Sequence, residues 1–355
     1  MRIEPDGLNQ NRLVDLLRDR YLLEVAGLTF VPYGIDSWSY VATCRDDNRA
    51  FVKLTRREPS TIATASELPL MAALAAGLVR VPRPITDRDG GFVSALDGYD
   101  VQVLEYIEGR TLEEETAWPD DLLARVAETV AAVHASTNVV RPLVQRVEDY
   151  DLPFLPRLSE TLTAIEVGGP LPAGDETLAR LREMALPRAL ELRAGIVRLE
   201  RLRDLARVRH SDEVLCHTDI WGSNLLLSND GRLHLLDWNG ALMGPPEHDL
   251  FMFAGTTFFP ADRFGWFLDR YEAAFRGTRL DAETFGFYFY RRNLEDLAGF
   301  VASIAEGRTE AMAPAAMLAI VADLLGEMTS IECQIERVRE VLAARDESAR
   351  PLEAL

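Results

Sequence analysis

The pattern of apolar and polar positions divides the chain into two parts near residue 108. The first part mixes the period of two that is typical of half-buried strands with short stretches of helical period. In chain order, the predicted elements are a helix over 10–26, strands over 38–44 and 50–54, a helix over 59–77, and a hairpin of strands 92–95 and 101–106. Antiparallel sheet with accompanying helix is therefore expected in this part.

Beyond residue 108 the helical period dominates. Helices are predicted from Pro119, over 175–209 with an interruption at Pro187, and over 261–277, 281–306 and 312–345. A single strand island over 213–236 contains the turn sequence Asn229-Asp230-Gly231. The pattern predicts an α+β chain with a small β-rich lobe, residues 1–107, a joint at about 103–109, and a large, mainly helical lobe, residues 108–355.

Composition limits the classes of partner. Hydrophobic residues make up 48% of the chain, and the formal net charge is −19. An acidic chain of this kind is a poor binder of nucleic acid and of anionic membranes, so we expect neither as a partner. The charge is compatible with a cationic small-molecule partner, and equally with a generally acidic surface that serves solubility.

No uninterrupted apolar run approaches the roughly 18 residues of a membrane span. The N-terminal sequence MRIEPDGLNQ has neither the basic start nor the apolar run of a signal peptide. A cytoplasmic protein is expected, as a monomer or a homodimer.

Lys53 is the one lysine of the chain, whereas the other basic residues are arginines. Arginine is a planar fork of donors, while lysine is a compact point charge. A site that needs a compact ammonium would explain this residue, and retention by chance is the alternative.

The strand island begins with CHTDIWGSN, in which His217, Asp219 and Asn224 follow the spacing H-x-D-x-x-x-x-N. Asp237 follows at the end of the returning strand, in LLDWN. Phosphoryl transfer needs a carboxylate to orient the attacking hydroxyl, oxygen ligands for Mg²⁺ and a positive charge on the phosphates. Asp219 is the candidate base, and Asn224 and Asp237 are the candidate metal ligands. Polar loop residues that cap a turn are the alternative.

These motifs and the order of the parts resemble the aminoglycoside phosphotransferase family, relatives of the protein kinases. The stretch from CHTDIWGSN through LLDWNGALMGPPEHDLFMFAG, with YFYRRNLEDLAGF further on, is most similar to the spectinomycin phosphotransferase branch. The resemblance implies a two-lobed, protein-kinase-like fold whose first lobe binds a nucleotide. It also implies ATP and Mg²⁺ as cofactors, with GTP not excluded.

The resemblance also assigns roles to residues of the first lobe. It implies that Lys53 binds the α- and β-phosphates and that Glu67 pairs with Lys53. The backbone of the joint, with Glu105 and Ile107, would hold the adenine. The loop 33–39 would cover the phosphates, although it has one glycine, so Ser37 and backbone amides are its candidate contacts.

Two positions of the catalytic region depart from the family pattern. Asn239 stands where a second acid is common, which leaves an additional metal or substrate role at that position unsupported. Trp221 replaces a small or basic residue, and either stacking on the substrate or packing would account for it.

The acceptor site is expected beside Asp219 and against the helical lobe. Its candidates on one predicted helix are Tyr288, Tyr290, Glu295 and Asp296. Residues 288 and 295 share a helix face, and a cationic acceptor suits carboxylates and aromatic rings. Ordinary helix core and surface is the alternative for all four.

The sequence therefore predicts an O-phosphotransferase that acts on an aminoglycoside or aminocyclitol antibiotic, with spectinomycin as one candidate, and that confers resistance. A metabolic kinase of the same fold, acting on a sugar, a choline-like alcohol or an amino-acid hydroxyl, is the first alternative. A non-catalytic nucleotide-binding scaffold is the second.

Overall fold

The structure is a computed structural model that describes residues 4–5, 7–32, 37–57, 67–77, 79–113, 118–168, 176–209, 213–255, 259, 261–307 and 312–348. The contacts between Cα atoms group the chain into two compact units. Unit 1 comprises residues 1–147 and 214–243, and unit 2 comprises residues 148–213 and 244–355. The strand island therefore groups with the N-terminal sheet, whereas the predicted boundary at residue 107 placed it in the second lobe.

A five-stranded antiparallel sheet with the order β1-β2-β3-β5-β4 forms the N-terminal part of unit 1. Its strands are β1 (Val25–Val31), β2 (Trp38–Cys44), β3 (Arg49–Arg56), β4 (Val93–Leu96) and β5 (Tyr99–Glu105). Two helices accompany the sheet, α1 (Gln10–Tyr21) and α2 (Glu67–Ala75). The Asn9 side chain caps α1 by accepting from the backbone N–H groups of Asn11 and Arg12.

The two faces of the sheet have different neighbours. Ala50, Val52 and Leu54 of β3 are at most 2% exposed and share one apolar core with Leu13 and Leu17 of α1. Because side chains alternate along a strand, residues 49, 51 and 53 lie on the opposite, less buried face. The face that carries Lys53 is thus fixed by burial of the other face under α1.

The rest of unit 1 is built around two small sheets. Its strands are β6 (Gly109–Thr111), β7 (Val214–Cys216), β8 (Leu225–Ser228), β9 (Leu233–Leu235) and β10 (Leu242–Gly244), the last ending at the start of unit 2. Strands β6, β8 and β9 form one antiparallel sheet, and β10 pairs with β7. The helices are α3 (Asp120–Ala135), whose apolar stripe packs on β7 and β9, and the short α4 (Thr137–Val140).

Unit 2 is helical. Its helices are α5 (Leu155–Val167), α6 (Glu176–Ala185), α7 (Ala189–Val208), α8 (Glu247–Leu250), α9 (Phe264–Ala274), α10 (Ala282–Ala305), α11 (Pro314–Met328) and α12 (Ile331–Ser348). The 24-residue α10 packs against α5, α7, α11 and α12. Within the described residues, no single helix has the length and apolar composition of a membrane span, and α11 with α12 meets those criteria only as a pair bent by 52°.

The predicted elements agree with most of these elements. The strands predicted over 38–44 and 50–54 match β2 and β3, and Leu186–Arg188 form a 3-10 turn where Pro187 was expected to interrupt the helix. The helix predicted over 10–26 is too long, because Leu22 adopts a left-handed conformation with φ 59° and β1 begins at Val25. Only residues 67–77 of the helix predicted over 59–77 lie within the described chain, and α5 was not predicted.

Gly109 generates a prediction about stability. It pairs with Ser228 across β6 and β8, where an added Cβ would lie 2.7 Å from Ser228 Cα and press on the Leu227 carbonyl. We expect Gly109→Ala to lower the free energy of unfolding by about 1–3 kcal/mol in urea titrations, since backbone cannot move aside cheaply. Gly27→Ala in β1 is the matched control, because its Cβ would meet open space. Equal effects of the two substitutions would contradict the close approach.

Candidate active site

Asp219 and Asn224 meet in the loop that connects β7 to β8. Asn224 Nδ2 donates to Asp219 Oδ2 at 2.8 Å and to the Asp219 carbonyl at 2.9 Å. Both amide protons of Asn224 are thereby used on Asp219, so its remaining polar atom, Oδ1, is the one that suits a metal ion. Gly222 lets the loop pass Leu112, since an added Cβ would lie 2.9 Å from the Leu112 carbonyl oxygen. The predicted base and one predicted metal ligand are therefore held together.

His217 links this loop to the segment that carries Asp237. Its Nε2 lies 2.8 Å from the Leu236 carbonyl oxygen, and the Asp219 N–H donates to its Nδ1 at 3.3 Å. Since Nδ1 accepts, the proton resides on Nε2, which donates to Leu236. The ring also packs edge-on against Trp238, with centroids 4.7 Å apart. These contacts fix the backbone position of Asp219.

Strained backbone flanks the two carboxylates. Thr218 has φ 75° and Asp237 has φ 55°, a left-handed conformation that is uncommon for residues other than glycine. A Cβ on Gly240 would collide with the Thr218 hydroxyl. Because non-glycine residues in this region cost free energy, they persist where the surroundings hold them, and they cluster at functional sites.

Lys53 of β3 points to Asp237. Its Nζ lies 3.5 Å from Asp237 Oδ1, and the exposed fractions of the two side chains are 19% and 50%. Both residues belong to unit 1, so one compact unit contains the ammonium, the candidate base and both candidate metal ligands. The structure therefore brings together the four residues on which the sequence prediction depends.

Glu67 is the first residue of α2 and is 7% exposed. Burial raises the pKa of its carboxyl group to about 7, although the charge of Lys53 and a hydrogen bond with Gln102 act in the opposite direction. The carboxylate of Asp237 raises the pKa further. Glu67 thus interacts electrostatically with Lys53 and Asp237. The ion pair of Lys53 is made with Asp237, so the pairing of Glu67 with Lys53 stays a prediction.

The side chains around Asp219 suit a hard cation. They offer the carboxylates of Asp219 and Asp237 and the amide oxygen of Asn224, which are the ligand types that Mg²⁺ prefers. Asp237 is half-exposed and therefore accessible to an ion and to a phosphate group. The donor set fits the predicted metal.

The other predicted nucleotide contacts lie along β2 and β5. Ser37 is 5% exposed and directly precedes β2, whereas residues 33–36 of the same predicted loop lie outside the described chain. Glu105 ends β5 and is exposed, and its Oε2 accepts from the Arg83 N–H at 3.4 Å. Ile107 lies in the irregular segment 106–108 between β5 and β6 and is half-buried.

The predicted acceptor residues differ in accessibility. Trp221 of unit 1 is half-buried in the loop that connects β7 to β8. In unit 2, Tyr288 is 1% exposed and stacks on His248 with centroids 4.1 Å apart. Tyr290 is 6% exposed, and its hydroxyl donates to Glu332 Oε1 at 3.1 Å. Both tyrosines are therefore helix-core residues. Glu295 and Asp296 remain accessible, each paired with the arginine four residues earlier, at 3.5 and 2.8 Å.

Tyr288 packs over a buried ionic cluster in unit 2. Its hydroxyl donates to Glu148 Oε2 at 3.1 Å, and Arg291 Nη1 lies 3.0 Å from Glu148 Oε1. Burial alone would raise the pKa of Glu148, but its hydrogen bond and charge interaction with His248 and the charge of Arg291 hold the pKa at about 2. These contacts give Tyr288 a structural role.

Two residues beside Lys53 were not predicted from the sequence. Gln102 is the cross-strand partner of Lys53 and forms a hydrogen bond with Glu67. Phe51 is half-buried on the same face of β3 as Lys53 and therefore offers an aromatic surface next to it. The alternation of apolar residues in AFVKL contains the signal for Phe51, whereas the position of Gln102 depends on strand register.

Comparison with known proteins places the chain in a family. A family model described as the phosphotransferase enzyme family (APH) matches residues 29–288, which include the strand of Lys53 and the whole catalytic loop. The chain belongs to this family, whose members include kinases of small molecules that act on hydroxyl groups.

Individual relatives are more distant. Protein StrN of Streptomyces griseus is 28% identical over 232 residues, which cover 64% of this chain and 69% of StrN. The structure of spectinomycin phosphotransferase APH(9)-Ia with ADP and spectinomycin has a TM-score of 0.75 at 15% identity, covering 92% of this chain and 99% of that one. A microcompartment-associated aminopropanol kinase has a TM-score of 0.61 at 16% identity, covering 92% and 98%. These two structures confirm the predicted kinase-like fold.

The raised pKa of Glu67 predicts a pH-dependent stability. A carboxyl group with a pKa of about 7 in the folded state binds its proton more tightly there than in the unfolded chain, where its pKa is about 4.5. Its contribution to stability is complete below pH 4.5 and is lost as the pH rises to about 7. We measure the free energy of unfolding in urea titrations with chelator. As the pH rises from 5 to 8, we expect the value for Glu67→Gln to increase by about 2–3 kcal/mol relative to that of the native chain.

Glu128→Gln on the exposed face of α3 is the control for this experiment, because it removes a carboxyl group that is not buried. A pH-independent difference in the free energy of unfolding between the native chain and Glu67→Gln would contradict the prediction. The carboxyl group would then have the same pKa in the folded and unfolded states, contrary to its burial.

Proposed function

We propose that this protein is a Mg²⁺-dependent O-phosphotransferase that moves the γ-phosphoryl group of ATP to a hydroxyl group of an aminoglycoside or aminocyclitol. The observation that carries the proposal is the juxtaposition, within one compact unit, of the hydrogen-bonded pair Asp219–Asn224 and the ion pair Lys53–Asp237. Phosphoryl transfer requires little beyond positioning and charge stabilisation, and these four side chains supply both.

Asp219 orients the acceptor hydroxyl and accepts its proton. The amide of Asn224 holds Oδ2 of this carboxylate, and the Asp219 N–H is fixed by His217, so the other carboxylate oxygen has a defined direction. A positioned carboxylate within hydrogen-bond reach of the hydroxyl aligns the oxygen for in-line attack.

Asn224, through Oδ1, and Asp237 would hold Mg²⁺. The ion supplies neutralisation of the phosphate charge that develops during transfer. Lys53 pairs with Asp237 in the structure, and its compact ammonium contacts the nonbridging phosphate oxygens when a nucleotide is present. Glu67, whose carboxyl group interacts with the charge of Lys53, is proposed to help hold the Lys53 side chain.

The base of the nucleotide would be held farther along the same face of the sheet. Phe51 offers it an apolar aromatic surface two residues from Lys53, and the backbone near Glu105 and Ile107 offers hydrogen bonds to its edge. GTP remains an alternative donor, because a backbone edge can pair with either purine.

The acceptor class is proposed from charge and from similarity. The chain has a net charge of −19, which concentrates polycationic molecules near its surface. The fold is similar to that of a spectinomycin phosphotransferase, with a TM-score of 0.75 between the two structures. Spectinomycin is therefore the first candidate acceptor, and antibiotic resistance is the role that follows. Trp221 is the residue proposed to stack on the acceptor, and the roles of Glu295 and Asp296 stay predictions from the sequence.

A metabolic kinase is the second candidate function. The observation that favours it is the similarity of the fold to that of an aminopropanol kinase, with a TM-score of 0.61. A small amino alcohol would use the same Asp219–Asn224 pair, so the two candidates differ in acceptor and share the chemistry.

An acceptor screen tests the two candidates. The protein is incubated with ATP, Mg²⁺ and single acceptors from three groups, namely aminocyclitols and aminoglycosides, amino alcohols, and sugars. The products are measured by mass for a gain of about 80 Da, the mass of the transferred group. A gain on spectinomycin or an aminoglycoside supports the first candidate, and a gain confined to the other groups supports the second. Hydrolysis of ATP without any phosphorylated acceptor would contradict both.

Asp219 generates a prediction about catalysis. We expect Asp219→Asn to lower kcat by about 10²–10⁴-fold while the Kd for nucleotide changes less than about 2-fold, because the amide cannot accept the proton. Turnover is followed by coupled ADP detection, and nucleotide binding by calorimetry. Asp230→Asn in the β8–β9 turn is the matched control, an aspartate of the same strand island outside the β7–β8 loop, and it is expected to retain kcat. Equal losses in both variants would remove Asp219 from the reaction.

A further inference from the structure

Arg49 makes two contacts with the segment 106–108, which we call the connecting segment because it joins β5 to β6. Its guanidinium Nη2 lies 2.5 Å from Glu108 Oε1, and its Cζ lies 4.5 Å from the centre of the Tyr106 ring. The guanidinium thus contacts the first and last residues of the segment at once. The exposed fractions of the Arg49 and Glu108 side chains are 34% and 59%.

Strand register explains why Arg49 reaches this segment. Lys53 lies opposite Gln102, Phe51 opposite Leu104, and Ala50 opposite Glu105. One further residue in this register places Arg49 opposite Tyr106. Residues 49, 51 and 53 therefore share one face of β3, with Arg49 about 13 Å from Lys53 along the strand.

The connecting segment is also held from its other end. The Glu108 carbonyl accepts from the Asn229 N–H at 2.9 Å, and Gly109 then pairs with Ser228 in the β6–β8 ladder. The β6–β8 ladder thus fixes the C-terminal end of the segment, and β5 fixes its N-terminal end. The Arg49 side chain contacts both ends.

From this geometry we propose that Arg49 is a positioning residue that holds the connecting segment in the shape that binds the base of the nucleotide. The proposal rests on the proposed function, because it assigns the segment to the base. Arg49 touches neither the phosphates nor the acceptor in this scheme, so its removal raises the KM for nucleotide and leaves kcat nearly unchanged. A binding segment that is already ordered avoids the cost of ordering on association.

The choice of arginine is part of the proposal. A planar guanidinium can stack on the Tyr106 ring and still donate to Glu108, whereas a lysine ammonium offers a charge without a plane. Arg49→Lys is therefore expected to retain the contact with Glu108 and to lose the stacking.

The test compares Arg49→Ala and Arg49→Lys with Arg57→Ala. Arg57 follows the other end of β3 and pairs with Asp100 of β5 at 2.7 Å, so it is a matched arginine that also connects β3 to β5 and lies away from the connecting segment. We expect Arg49→Ala to raise the KM for ATP about 5-fold with kcat within about 2-fold, and Arg49→Lys to rescue it only in part. Arg57→Ala should leave both constants within about 2-fold.

Hydrogen exchange of the Asn229 amide, which donates to the Glu108 carbonyl at 2.9 Å, supplies a readout that does not require a nucleotide. We expect exchange there to accelerate about 10-fold in Arg49→Ala and to be unchanged in Arg57→Ala. Unchanged exchange in Arg49→Ala overturns the proposal. Faster exchange with an unchanged KM also overturns it, because the segment would then be held but would not bind the base.

The wild-type protein separates this proposal from the proposed function. If calorimetry with ATP and Mg²⁺ shows no binding to the wild-type chain, the proposed function fails, and the assignment of the connecting segment to the base fails with it. If the wild-type chain binds ATP and the Arg49 variants bind equally well, only the role of Arg49 is overturned.

Discussion

The backbone of Leu236 holds the candidate site together. Its N–H donates to the Asn224 carbonyl at 2.8 Å, and its carbonyl lies 2.8 Å from His217 Nε2. Leu236 is thus hydrogen-bonded to both ends of the loop that contains Asp219. Because Asp237 follows directly, the distance between the candidate base and the candidate metal ligand is set by two hydrogen bonds rather than by flexible side chains. Preorganisation of this kind is what charge stabilisation during transfer requires.

Strand β3 orients the remaining half of the site. Burial of Ala50, Val52 and Leu54 under α1 leaves no freedom in which face Lys53 occupies, since a shift of one residue would expose the core. The same constraint places Phe51 and Arg49 in line with Lys53. One alternation of side chains therefore serves both the core and the candidate site. The apolar positions anchor the strand, and the positions between them lie on the face that carries Lys53.

Much of the fold could be predicted from the sequence because the responsible signals are local. Strand β2 matches the predicted range because β-branched and aromatic residues end at a turn of four polar residues. Helix α1 was predicted too long because Leu22 and Leu23 continue the apolar pattern, and no glycine or proline marks the end. Its termination depends on a left-handed leucine, which sequence patterns do not indicate.

The candidate site could be predicted in part for a related reason. The spacing of Asp219, Asn224 and Asp237 is visible in the sequence. The hydrogen bonds that hold these residues together and the left-handed conformation of Asp237 are visible only in the folded chain. Tyr288 was predicted to line the acceptor site because the helix period places it on the same face as Glu295. The period does not indicate how many helices surround that face. The nearly continuous apolar run from Phe285 to Tyr290 is the signal that α10 is buried on several sides.

The single lysine of the chain has a practical consequence. Because Lys53 carries the one side-chain ammonium, labelling of lysine with ¹⁵N would give a single side-chain nitrogen resonance in a nuclear magnetic resonance spectrum. That resonance would come from a group 3.5 Å from Asp237. If phosphate oxygens replaced Asp237 as the partner of the Lys53 ammonium, the chemical shift of the Lys53 resonance would change. The occupancy of the site could therefore be followed in solution without an attached probe.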